Sequence, residues 1–148
     1  MGRIFTYSFE DCTVTFDCPN YGTYSAYGSG LGEFTIALSN DAVSHEVSAD
    51  LSIVISKHVI KNGTIQFNIP QASDFNNWLR GWANYLESPD TPITDFAATN
   101  ITISNRSTGD VYYLTGCTHQ KVSDQAFGSD AQNRTWTIMA ANIANTTI

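Results

Sequence analysis

Apolar residues return at every second position through most of this chain, and one stretch alone breaks the rule. A period of two puts alternate side chains on opposite faces of a strand, so the pattern commits the chain to a mainly β (α+β) fold. Phe5, Tyr7 and Phe9 share a face of a first expected strand, Val14, Phe16 and Cys18 one of a second, and Tyr24 to Tyr27 form a short third. Glu33-Phe34-Thr35-Ile36-Ala37-Leu38, Thr64-Ile65-Gln66-Phe67-Asn68-Ile69-Pro70, Asn100-Ile101-Thr102-Ile103-Ser104 and Val111-Tyr112-Tyr113-Leu114-Thr115 continue the alternation. Arg134-Thr135-Trp136-Thr137-Ile138-Met139-Ala140 reads as the last strand. Turns are expected at Glu10-Asp11, at Cys18-Pro19-Asn20-Tyr21-Gly22 and at Thr108-Gly109-Asp110, with polar loops over residues 88–92 and 123–133. Asn62-Gly63 carries a tight-turn signal.

The exception runs from residue 73 to about 87. Ser73 is a good N-cap and Asp74 favours the first turn. Phe75, Trp78, Leu79, Trp82 and Leu86 recur at helical spacing, Tyr85 widens the stripe, and Ser88-Pro89 ends it. The expected role of this aromatic stripe is to cover the sheet rather than to bind a ligand. At 148 residues the chain suits one domain spanning 1–148, and it shows no repeat and no linker.

Residues 40–60 are of another kind. Val43, His45 and Val47, then Leu51, Ile53 and Ile55, alternate with mostly uncharged polar residues. They predict a long hairpin or extended arm, and Val43, Val47, Leu51, Ile53 and Ile55 are its candidate contacts to another subunit. An edge that is to pair with a neighbour needs few charges to repel it.

Several functions are disfavoured by residue chemistry. The net charge is -7, and the seven basic residues are scattered, whereas a phosphate grip needs them clustered. Gly28, Gly30 and Gly32 precede a period-2 strand, not the helix a dinucleotide site requires; a bulge or a close backbone approach is expected there. His45, His58 and His119 lie in no metal-ligand spacing, and no GxSxG elbow occurs. Asp41 with Glu46 is an unremarkable carboxylate pair. Cys12, Cys18 and Cys117 fit no zinc or redox motif and are expected to be buried thiols. Cys12 and Cys18 on one strand would lie about 20 Å apart, beyond disulfide reach. No enzyme activity, metal or cofactor is expected. No apolar run approaches the ~20 residues of a membrane span. The opening residues look strand-like rather than secretory, so neither the myristoylation match at Met1-Gly2-Arg3-Ile4-Phe5-Thr6 nor the sequons at Asn62, Asn100, Asn105, Asn133 and Asn145 are expected to be used. Charged residues are only 14% of the chain, which suits a surface largely hidden between subunits.

A set of segments in order adds a resemblance. Thr6-Tyr7-Ser8-Phe9, residues 24–32 ending Gly28-Ser29-Gly30-Leu31-Gly32, Lys57 with Asn62-Gly63-Thr64-Ile65, Gln71-Ala72-Ser73 leading to Asn77-Trp78-Leu79 and Asn84-Tyr85-Leu86, residues 116–124, and Arg134 to Ala141 span the whole chain. The set resembles the tail tube proteins of contractile-tailed bacteriophages, in their small-subunit branch. The resemblance implies a β-sandwich or curled antiparallel sheet with one flanking helix. It implies stacked hexameric rings forming a hollow conduit for DNA ejection, with sheath, baseplate and terminator proteins as partners. It implies a place in the virion tail after assembly in the host cytoplasm, and DNA passing through without specific binding or membrane contact. About four strands per subunit would make a shared barrel of about 24, roughly 45–50 Å across its backbone. A ring protein of a secretion or contractile injection system is the alternative. Less favoured is a carbohydrate- or receptor-binding β-sandwich stacking sugars on Trp78, Trp82 and Trp136.

Overall fold

The computed structural model describes residues 12–27, 32–39, 41–120, 127–130 and 132–147. Phe5, Tyr7, Phe9, the Glu10-Asp11 break, Gly28, Gly30 and the lipidation match lie outside them. Ten strands and two helices follow in order: β1 (Cys12–Cys18), β2 (Gly22–Tyr27), β3 (Glu33–Leu38), β4 (Val43–Val47), β5 (Ile53–Lys57), β6 (Gly63–Pro70), α1 (Asp74–Glu87), α2 (Ile93–Phe96), β7 (Thr99–Asn105), β8 (Asp110–His119), β9 (Asn133–Ala140) and β10 (Asn142–Thr147). All pairings are antiparallel, so the mainly β class with one flanking helix is the observed one.

The strands form two layers joined by β8. One layer runs β2-β1-β7-β8, with β10 on the far side of β8. The other runs β9-β6-β3. β8 pairs β10 over Asp110 to Thr115, turns at Gly116, then pairs β9 through Thr118 and His119. Gly116 has φ +64°, and a Cβ there would lie 2.8 Å from the Ala141 Cβ, so the corner requires glycine. Alternation puts Val14, Phe16, Ile101, Ile103 and Leu114 of the first layer against Ile65, Phe67, Ile69, Trp136 and Ile138 of the second, all buried. Phe16 and Phe67 meet across the interface with centroids 5.9 Å apart.

Helix α1 closes one end of this sandwich. Phe75, Leu79, Trp82 and Leu86 are buried, and Trp78 is half-buried against Phe16, Tyr21 and Tyr24. Phe75 stands edge-on to Phe16 and Phe67, so the stripe reaches both layers. Each buried indole donates its N–H: Trp82 to Thr99 Oγ1 at 3.0 Å and Trp136 to Asn76 Oδ1 at 3.0 Å. The helix begins at Ser73, whose hydroxyl accepts from the Asn76 N–H at 3.1 Å and donates to the Pro70 carbonyl. Ser73→Ala removes both bonds and is expected to cost about 1 kcal/mol, lowering the melting midpoint by roughly 2–4 °C in a thermal denaturation scan.

Three sequence expectations change. Asn62-Gly63 is not a hairpin turn. Gly63 opens β6 and faces Leu38 and Ala140. It is glycine because a Cβ would fall 2.2 Å from the Ala37 carbonyl oxygen and 2.8 Å from the Ile143 side chain. β9 is not the last strand; β10 follows it after a single residue, Ala141. The 88–92 loop runs into a one-turn helix, α2, absent from the sequence reading. At Gly32 the expected close approach is present: φ is +71° and a Cβ would lie 2.3 Å from the Asn68 carbonyl oxygen.

Candidate functional site

Among the described residues, the part that the fold does not use for itself is the segment between β3 and β6. Its base is fixed by Leu38 paired to Gly63 and by the Ser39 N–H donating to the Asn62 carbonyl at 2.9 Å. Beyond it β4 and β5 form a two-stranded sheet that pairs with no other described strand. At its root the His58 N–H donates to the Ala42 carbonyl at 2.8 Å, and the His58 ring lies 3.2 Å from the Ser44 hydroxyl. At its tip the Ser52 N–H donates to Asp50 Oδ1 at 3.1 Å, and bonds from Ser52 and Ser48 hold the Asp50 carboxyl below its ordinary range. Leu51 there adopts φ +67°, a conformation that costs a non-glycine residue roughly 1 kcal/mol.

The register sorts the hairpin into two faces. Val43 pairs Lys57, His45 pairs Ile55 and Val47 pairs Ile53, so these six share one face. Ser44, Glu46, Val54 and Ser56 occupy the other. Val47, Ile53 and Ile55 are 69%, 60% and 64% exposed, and Leu51 at the tip is 83% exposed. Val43 is also exposed, as are Val59 and Ile60 below the root. A lone two-stranded hairpin is at best marginally stable in water. An amphipathic one whose apolar face meets only solvent is a surface without its partner.

The rest of the molecule offers little chemistry. Burial pushes the Cys117 thiol up to about 12 and raises those of Cys12 and Cys18, so all three are neutral and unreactive; none is in a disulfide. His119, on β8, bonds Glu87 at 2.8 Å beside the Trp82 ring, whereas His45 and His58 belong to the hairpin. Asp95 accepts from Asn20 at 2.9 Å and from the Tyr85 hydroxyl at 3.0 Å, pinning α2 to the β1–β2 turn. Among the described residues no three His, Cys, Asp or Glu side chains converge where they would hold a metal. No described helix is long and apolar enough to cross a membrane. Trp82 and Trp136 are fully buried and take no part in a sugar-stacking platform; Trp78 is half-buried, packed against Phe16, Tyr21, Tyr24 and Trp82. The polar partners Asn76 and Thr99 were not foreseen from the sequence. Their only signal was an amide and a hydroxyl at positions that later proved buried.

Comparisons with known proteins place this geometry. No curated protein matches the sequence. Among solved structures, a chain of the extended sheath–tube complex of an extracellular contractile injection system (PVC) superposes with a TM-score of 0.60 at 12% identity, covering 97% of this chain and 93% of that one. A chain of the anti-feeding prophage (AFP) baseplate gives 0.62 at 10% identity over 99% and 97%. A chain of the sheath/tube terminator of the PVC system gives 0.61 at 10% over 99% and 100%. At these identities the likeness is one of fold. The sequence itself is matched over residues 4–147 by the family model described as the bacteriophage PhiTE tail tube protein, and the chain belongs to that family of phage tail tube proteins.

Proposed function

We propose that this chain closes into hexameric rings that stack into the tail tube, a conduit for DNA ejection, with the β4–β5 hairpin as the arm that joins one subunit to another. The observation that carries the reading is the uncovered apolar face of that hairpin. Fully burying one Val, Leu or Ile contributes about 1.5–3 kcal/mol. Covering even half of Val43, Val47, Leu51, Ile53 and Ile55 would contribute on the order of 4–7 kcal/mol per arm, enough to decide association once repeated around a ring. The role is structural, with no catalysis and no cofactor. The finished tube belongs to the virion tail after assembly in the host cytoplasm, and sheath, baseplate and terminator proteins are its neighbours. The family match is to a phage protein, which favours a phage tail over a secretion or injection system.

Sedimentation and negative-stain microscopy of the purified protein test this. The expected result is a species of six times the 16.2 kDa chain, and rings or tubes as concentration rises. Compact monomers at every concentration, together with no labelling of tail tubes in virions by an antibody to this chain, would overturn it.

A further inference from the structure

Among the described residues, only one of the two layers has the edges to continue around a ring. The sheet β2-β1-β7-β8-β10 has an unpaired strand on each flank, β2 and β10, among the described residues. The second layer has one, β3; its other flank, β9, is tied to β8 through Thr118–Met139 and His119–Ile138. A sheet passes from subunit to subunit around a closed ring only if both of its edges can meet a neighbour's.

The chemistry of the doubly open sheet fits a passage. On its exposed face Thr15 lies between Ser25 and Thr102, and Asp17 lies between Thr23 and Asn100. Thr15 and Ser25 share a hydrogen bond at 3.1 Å, and the Thr23 hydroxyl donates to Asp17 Oδ1 at 3.3 Å. None of the five strands contains Lys or Arg. Phosphates are held by ammonium and guanidinium groups that displace their counterions. A face of hydroxyls and amides, with the exposed Tyr27 and Tyr113 and a carboxylate, offers a polyphosphate no cation to hold it.

Resting on the tube reading above, we infer that this Thr/Ser/Asn face is the wall of the channel and that a passing polyanion, duplex DNA, slides against it. The exposed face of the second layer, with Gln66, Asn68 and Thr135, lies on the outside of the tube.

Single cysteines test the assignment, because the three native thiols are buried and silent. Thr102→Cys and Thr135→Cys, each in the full chain, are exposed to a maleimide carrying a bulky polyethylene glycol, as dissociated subunits and as tubes. Thr102→Cys is expected to react in subunits and at least about ten-fold more slowly in tubes, with Thr135→Cys reacting alike in both states. Thr115→Cys, exposed on the same face as Thr102, replaces it if that variant assembles poorly. Labelling at Thr102 undiminished in tubes, or equal protection of the two positions, overturns the inference while leaving the tube reading intact. Absence of tubes by microscopy overturns the tube reading, and the channel with it.

Discussion

Deletion of residues 42–57 is expected to leave a folded subunit that no longer assembles. Among the described strands, the two in the excised segment pair only with each other, and none of its residues belongs to the buried cluster between the layers. Val43 and Lys57 face each other across the root, so the cut ends lie side by side. The Leu38–Gly63 pairing and the Ser39–Asn62 bond remain to hold β3 and β6 together. The stability change should therefore stay within about 1 kcal/mol, as for surface changes away from the core. Assembly loses the several kcal/mol per arm that apolar burial supplies. Circular dichroism melts should nearly superpose on those of the intact chain, while sedimentation shows monomer alone. An unfolded or insoluble product would mean that the hairpin supports the core; tubes that still form would mean that it joins nothing.

Trp82→Ala is expected to have the largest effect on the fold. The side chain is fully buried at the centre of α1, with its ring edge-on to Phe16 at 5.8 Å and to His119 at 5.8 Å. Truncating a buried tryptophan costs about 3–5 kcal/mol. For a chain of this size that is a fall of roughly 10–15 °C in the melting midpoint. The change also strips the buried Thr99 hydroxyl of its indole donor. Trp82→Phe separates the two losses, because it restores most of the volume but not the N–H. It should lose about 1–3 kcal/mol, the cost of a buried polar group left without its partner. Urea denaturation measures both; a loss below about 1 kcal/mol for the alanine variant would show that α1 is not the closing element of the sandwich.

The sequence made some of this legible and hid the rest for physical reasons. Strands with a buried face declare themselves, because Val14, Phe16 and Cys18, or Ile65, Phe67 and Ile69, must alternate to be covered. β10 does not: its one buried apolar side chain, Ile143, stands among Asn, Ala and Thr, and an edge strand held by backbone pairing needs no pattern. Gly63 misled because Asn-Gly signals a turn by local chemistry, whereas this glycine answers a crowding set by β3 and β10. The pairing of β1 with β7 joins segments some 85 residues apart and leaves no trace in either one. On the hairpin, the alternation told that Val47, Ile53 and Ile55 share a face; it could not tell that none of the described residues covers them.

The corner at Gly116 has a mechanical consequence. The two layers are not merely pressed together by side chains, since one unbroken stretch of backbone belongs to both. To slide one layer over the other, a force must stretch that strand or strip it from β7, β9 and β10 together. Hydrogen-bonded strands loaded along their length share the load over the whole ladder rather than opening one bond at a time. In a tube, torque entering the outer skin would reach the inner lining through covalent bonds, giving a conduit stiff in torsion even though each of its subunits is small.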